Sequence, residues 1–442
     1  MYLTNSEELL PPQVIARALE SIDTKAVLLF DNAETVLGGL PGLIEELRTC
    51  THPPLLIVAS RTNDYARRIS RFMSAADVSE FNVPNLDRAE IESIINVLEV
   101  NNLLGRLQGM PRMQRIAEFE ERANKQVLVA MREATSGRLF DEIINDEFIR
   151  LDPRETKILY LCVALATDAG YRITKQEFVG CSDSDPAEAL YILERSLRDI
   201  VLPTGPNDDL LLLRHRRIAE YMVDQAAPRP LLREAYLRLL SVLSGEIKGR
   251  PRRSRSFGIY RDLVNHHTIF RRFEEDVEEA RSIYDSLSGR FKGDFQFWLQ
   301  YGSLELTAGN LEYAGNYLSQ ADSLDPGNDF ISNAIGHLFL RKAIKAKNKA
   351  EAIKFRNEGA AILLGNIERI GVDESYCFHI YCAQRLIWVK RWAEGVEEQQ
   401  HELEELRNVC AQGAKLHPRD RRIRDARDEI EKEYLSLAIL KT

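Results

Sequence analysis

Residues 298–326 read WLQYGSLELTAGNLEYAGNYLSQADSLDP, and their spacing decides the architecture of half the chain. Trp298, Tyr301 and Gly302 fall on one helix and Ala314, Leu318 and Ala321 on a second, with Gly309-Asn310 between them and Pro326 closing the unit. Small residues let the two helices approach, and a proline cannot continue the second. The pattern is that of a helix–turn–helix repeat of about 34 residues. One period on, Gly336 and Phe339 echo the first helix of a following unit. Beyond Lys342 the register degrades, and a basic-rich stretch from Lys342 to Lys354 intervenes. A single repeat cannot bury its own faces, so the flanking helices are expected to be divergent copies, which makes 227–442 a helical-repeat array. Trp298, Tyr301, Trp388 and Trp392 fall at the spacing of repeat interiors. Core packing is the expected role for them, and a place on a peptide-binding concave face is the other reading.

Residues 1–83 alternate helix and strand. Pro12 to Ile22 carries Val14, Ile15, Ala18, Leu19 and Ile22 at helical spacing. Ala26–Phe30 and Leu55–Ala59 are short apolar runs, followed by Asp31 and by Ser60-Arg61. Such runs read as buried parallel strands, and with helices between them they imply a right-handed βαβ unit. Sheets of this kind bind ligands beyond the carboxyl ends of their strands, where Asp31 and Arg61 stand. Residues 1–25 hold no G-x-x-x-x-G-K-[ST] loop, so the segment reads as part of a phosphate-binding α/β module rather than a whole one.

From 84 to 149 the pattern is helical. Asp87 and Glu90 form a capped helix start, with Ile91, Ile94, Ile95 and Leu98 on one face. A second amphipathic stretch runs from Arg112 to Glu133, and a short helix covers Phe140–Phe148. In 150–226, Asp152-Pro153-Arg154-Glu155 opens a helix, and Thr174–Val179 and Pro186–Leu197 supply two more. Ile200–Leu202 and Leu210–Arg214 then form a hairpin around Gly205–Asp209. Three helices followed by a hairpin read as a winged helix, whose usual partner is DNA, met by the third helix. Here that helix carries Glu188 and Glu194 and little base-reading chemistry, which counts against nucleic acid.

The 442 residues suffice for two to four domains, and 44% apolar with 29% charged content is that of a globular protein. A net charge of −9 argues against a general nucleic-acid binder. The local basic run Lys248–Arg255 reads as a solvated interhelical linker or as a phosphate contact. Six cysteines show no C-x-x-C spacing, and Cys377, His379 and Cys382 fit no common zinc pattern. Buried thiols in a reducing cytoplasm are therefore expected. Met1 to Leu10 lacks the basic start of a signal peptide, and no apolar run approaches the length of about 18 residues that a membrane span needs. His266-His267 has no attached serine or cysteine, so no nucleophile triad reads from the chain.

Three stretches together resemble the STAND NTPases, and more narrowly the bacterial modules of defence-associated proteins: VLLFDNAE at 27–34, FEERANKQVLVAMREATSG at 119–137 and LRHRRIAE at 213–220. The likeness covers about residues 20–226. It implies a P-loop core, a helical lid, a winged helix and a repeat sensor, with ATP or ADP and Mg²⁺ as ligands. On it, Asp31 would hold Mg²⁺ through water, Glu34 would supply a second carboxylate and Arg61 would sense the terminal phosphate. His215 would hold ADP, with Arg214 as the neighbour able to substitute for it. Each has a plainer reading: Asp31 as a turn acid at a strand end, Arg61 as an exposed loop residue, His215 as a structural residue before a helix. Asn32 stands where the family places a second carboxylate, and an asparagine cannot act as a general base, so turnover is not expected.

The expected architecture is mixed and mostly α: a partial α/β P-loop segment (1–83), a helical lid (84–149), a winged helix (150–226) and tetratricopeptide-like repeats (227–442). The implied function is a cytoplasmic signal-transduction switch, locked by ADP and opened toward self-association by a protein partner at the repeats. A tetratricopeptide adaptor with no nucleotide function and a winged-helix transcription regulator are the alternatives.

Overall fold

The computed structural model describes residues 12–20, 26–30, 40–48, 50–59, 79, 81, 87–100, 104, 107–122, 140–205, 207–247, 252 and 254–439. The chain is mostly helical, 73% helix against 5% strand, which is the expected mostly-α class. It divides into two compact units, Met1–Tyr260 and Arg261–Thr442. That boundary falls inside the segment expected as 227–442.

The first unit begins with α1 (Pro12–Glu20), β1 (Val27–Phe30), α2 (Leu40–Arg48) and β2 (Leu55–Val58). The strands pair in parallel, from Val27 opposite Leu55 to Phe30 opposite Val58. Leu28 packs into a core with Ile15, Leu19, Leu43 and Leu47 from the two helices. Burial of both strand faces was expected, and here the structure differs. Val27, Leu29, Leu55 and Ile57 are 58%, 63%, 61% and 44% exposed, because alternation along a strand sends them away from α1 and α2.

Next, α3 (Arg88–Val100) opens with a reciprocal cap. Glu90 N–H donates to Asp87 Oδ1 at 2.8 Å, and Asp87 N–H donates to a Glu90 carboxylate oxygen at 2.9 Å. Ile91, Ile95 and Leu98 meet Ile116 of α4 (Arg112–Ala117) and Phe119 of the π turn that continues it. The remainder of the stretch to Glu133 lies outside the described residues.

The elements that follow are α5 (Phe140–Arg150), α6 (Arg154–Asp168), β3 (Ile173–Thr174), α7 (Lys175–Gly180), α8 (Pro186–Tyr191), β4 (Val201–Thr204), β5 (Leu210–Leu213) and α9 (Arg216–Tyr221). The helices and hairpin expected at 150–226 are thus present. Helix α6 is apolar all round and buried from Ile158 to Ala166, so it forms the spine on which the others pack. β5 lies between β3 and β4 and is antiparallel to both. Thr174 and Glu177 cap α7 reciprocally, and Asp185 caps α8 ahead of Pro186.

Helix α10 (Arg229–Glu246), placed by sequence in the repeat array, packs on α6 and α7. Leu232, Ala235 and Leu239 are fully buried there, and Arg238 donates to Glu155 at 2.7 Å. Arg255 of α11 (Arg255–Leu263) is not a solvated linker residue. It donates to Arg172 O at 2.6 Å and to Glu177 Oε1 at 2.8 Å, and Glu177 is only 2% exposed. Residues 248–251 and 253 of the basic run lie outside the described residues.

The second unit contains α12 (His266–Arg272), α13 (Val277–Leu287), α14 (Phe295–Ala308), α15 (Leu311–Leu324), α16 (Asp329–Ile344), α17 (Lys349–Ile370), α18 (Tyr376–Trp392), α19 (Gly395–Leu416) and α20 (Arg421–Ile439). The hairpin α14–α15 is the quoted stretch. Gly309 ends α14 at φ +85°, where a side chain would be strained. Tyr301, Ala314, Leu318 and Ala321 are buried, Trp298 nearly so, and Pro326 lies in the turn before α16. Trp388 is fully buried and Trp392 half-buried, as expected of repeat interiors.

A Cβ on Gly302 would stand 2.8 Å from Leu318 Cγ. The same close approach recurs between α16 and α17, where a Cβ on Gly336 would meet Leu363 Cγ at 2.7 Å. The register slips afterwards because α17 has 22 residues where α15 has 14. The stretch Lys342 to Lys354 ends α16, forms the turn and starts α17. Helices α14, α16, α18 and α20 pack in succession and make one layer. All six cysteines are buried thiols; Cys162 Sγ donates to Ala235 O at 3.6 Å and Cys410 Sγ to Ile423 O at 3.5 Å.

Two glycine substitutions should act in opposite directions. Gly302→Ala is expected to destabilise the protein by about 1–3 kcal/mol, since the new methyl would overlap the fully buried Leu318 side chain. Gly315→Ala meets Leu338 only at 3.6 Å. It should stabilise by roughly 0.5–1 kcal/mol through helix propensity. Urea unfolding of the two variants measures both; equal effects would contradict the packing described.

Candidate functional site

Two groups of polar side chains stand out, one in each unit. In the first unit, the chain leaves β5 through Arg214 and His215. Arg214 N–H donates to Ile200 O at 3.1 Å, and Leu213 N–H donates to Thr167 Oγ1 at 3.0 Å, so the strand end is fixed on both sides. The Arg214 guanidinium donates to Glu147 Oε2 of α5 at 2.6 Å, with 22% and 20% of the two side chains exposed. Beneath them the Tyr160 phenol is pushed upward by burial, and further by the Glu147 charge.

His215 caps α9. Its Nδ1 accepts the Arg217 N–H at 3.0 Å, so the neutral ring carries its proton on Nε2, and the side chain is exposed. Arg214 and His215 are therefore brought together at a rigid corner, with Glu147 as a partner that no sequence spacing reveals. Asp31, Glu34 and Arg61 lie outside the described residues.

In the second unit, histidines gather along the layer of α12, α14, α16 and α18. His266 of α12 shares a 2.9 Å hydrogen bond between Nδ1 and Gln300 Oε1 of α14, and its backbone N–H donates to the same oxygen at 3.1 Å. The His266 and His267 rings lie 3.9 Å apart between centroids. His337 and Arg341 are one turn apart on α16 and so share a face. His379 follows on α18.

Burial holds His266 at about 4, reinforced by His267 and opposed by the Gln300 hydrogen bond. It holds His337 at about 3, reinforced by Arg341, His379 and His266. His379 is lowered by burial and by Arg422 against the pull of Asp420. Nε2 of His337 and Nδ1 of His379 are buried without a hydrogen-bond partner. All three side chains are half-buried.

In the sequence the His266-His267 doublet has no attached nucleophile, His379 stands only in a cluster with Cys377 and Cys382 that fits no zinc pattern, and His337 and Arg341 carry no motif. Their common signal is placement on successive first helices, visible only once the helices are in register. Among the described residues, no group of three His, Cys, Asp or Glu side chains converges as a metal site.

No family model, curated protein or solved structure matches this chain. The functional reading therefore rests on the residues themselves.

The histidines fix the sign of a pH effect. Unfolded histidine takes its proton near pH 6.5, whereas folded His266 and His337 take theirs only near 4 and 3. Below about pH 6.5 the unfolded chain binds more protons, so stability falls from there toward pH 4. His266→Gln should flatten that slope in urea titrations. Imidazole resonances of His266 and His337 that titrate near 6.5 would refute the assignment.

Proposed function

We propose that the chain is a signal-transduction and protein-interaction protein of the STAND type. Its first unit would hold ADP at the Arg214–His215 corner, and its second unit would receive a protein partner. The observation that carries this reading is the way His215 is held at the end of β5. Its Nδ1 is committed to the backbone, which makes Nε2 a hydrogen-bond donor on an exposed ring, as contact with a phosphate oxygen requires. The helix–strand–helix–helix–hairpin order of α6 to β5 supports a winged helix at this position. The α14–α15 and α16–α17 hairpins support tetratricopeptide-like repeats.

In this reading the nucleotide favours a closed state, and a partner at the repeats favours an open, self-associating one. Asp31, with Mg²⁺, and Glu34 and Arg61 complete the nucleotide contacts in the proposal. Hydrolysis is not part of it, since Asn32 offers no general base.

Calorimetric titration of the full chain with ADP decides the nucleotide half. Binding that His215→Ala and Asp31→Ala each weaken at least about tenfold, equivalent to about 1.4 kcal/mol, is the expected result. No measurable ADP or ATP binding would put the tetratricopeptide adaptor ahead.

A further inference from the structure

Glu177 is 2% exposed, and both of its carboxylate oxygens are engaged. One accepts the Thr174 N–H at 2.7 Å and so completes the cap of α7. The other accepts from Arg255 Nη2 at 2.8 Å and from Ser256 Oγ at 3.2 Å, and Ser256 is buried as well. Arg255 Nη1 donates to Arg172 O at 2.6 Å, next to the start of β3. One turn along, a Cβ on Gly258 would stand 2.7 Å from the Tyr171 phenol oxygen. The first turn of α11 is thus held against β3 and α7 by a charge pair, hydrogen bonds and one close approach.

The rest of α11 is built otherwise. Ile259, Tyr260 and Leu263 are fully buried. The boundary between the two compact units falls after Tyr260, so the chain passes from one to the other inside this helix rather than through a loop. The two halves of the helix let go at different cost. Apolar surface drawn from a core gains nothing from water. Glu177, Arg255 and Ser256 recover hydration when they part, which offsets much of what the buried pair contributes. Their bonds depend on one shared carboxylate oxygen, so they are lost together.

We propose that the first turn of α11 is a releasable latch, in which Arg255 and Ser256 leave Glu177 in one step while Ile259, Tyr260 and Leu263 stay buried. Opening leaves the Glu177 carboxylate to the α7 cap alone. It also frees the amides of Gly258, Ile259 and Tyr260, which close onto carbonyls of that turn, as in the 3.0 Å bond from Gly258 N–H to Ser254 O. The helix that joins the units is then a point at which a ligand or partner can bias the chain between two states. The latch does not rest on nucleotide binding, which ADP titration tests separately.

The test is hydrogen exchange of the full chain in increasing urea, resolved to single amides by mass spectrometry. In the parent, Gly258, Ile259 and Tyr260 should share one opening equilibrium. Their exchange should be at least about a hundredfold faster than that of Leu159 to Ala164 in α6, with a weaker urea dependence. Glu177→Gln, which can still cap α7, and Arg255→Gln should each speed the three amides at least about tenfold. Arg255→Lys should lie between, and Arg261→Gln, exposed on the same helix, should change nothing. Helices α6 and α14 should keep their parent rates throughout.

Protection of the three amides equal to that of α6 in the parent overturns the proposal, because α11 then opens only with the whole unit. So does a graded rise in protection from Gly258 to Tyr260, which is fraying of a helix end. A variant that speeds α6 by the same factor overturns it too, since the pair is then structural and no latch. An equal effect of Arg261→Gln has the same consequence.

Discussion

The second unit depends on how closely its helices approach at glycine. Where α16 meets α17, a side chain on Gly359 would stand 2.9 Å from the carbonyl oxygen of Gly336, so the two backbones are nearly in contact. At that contact two buried amide side chains are paired with each other. Asn366 Nδ2 donates to Asn333 Oδ1 at 2.7 Å with both residues buried, and Ser332 donates to Asn366 Oδ1 at 3.1 Å. A buried amide pair of this kind is satisfied in one register alone, so it opposes sliding of one helix along the other. Glycine sets the distance between the helices, and the amides set their alignment.

This explains why the α14–α15 hairpin was legible in the sequence and the helices after it were less so. Gly302, Ala314, Leu318 and Ala321 serve a contact made within one hairpin, and the spacing of such a contact is local. In α17 to α20 the packing is as dense, but longer helices move the contacts out of the period. A Cβ on Gly413 of α19 would meet Phe378 of α18 at 2.9 Å, and no repeat spacing marks that pair. The same reasoning covers the first unit. The caps at Asp87 and Thr174 and the hairpin at β4–β5 are local and were readable. The docking of α10 on α6 joins residues far apart in sequence, and amphipathic spacing marks an apolar face without naming its partner.

The candidate sites divide in the same way. Arg214 and His215 were found because they are adjacent in sequence and stand at the end of a strand. Their partner Glu147 was not, because an ion pair between α5 and β5 leaves no trace in spacing. The histidines of the second unit were missed for a further reason. A histidine in a helix reads as a solvated residue or a satisfied core residue until its neighbours are known. Here burial keeps the His266 and His337 rings neutral, with His267 adding to it for the first and Arg341 for the second.

The buried carboxylates of the second unit show how a charge is kept inside it. Glu305 is fully buried yet charge-paired, with Arg281 Nε and Nη2 on its two oxygens at 2.7 and 2.9 Å and Asn310 Nδ2 on the second at 2.8 Å. Glu402 lies between Arg356 and Arg385, with the Arg356 guanidinium 4.5 Å from the centre of the Trp388 ring. Removing one partner from such a pair leaves a desolvated charge, a state costly enough that folded chains rarely keep it.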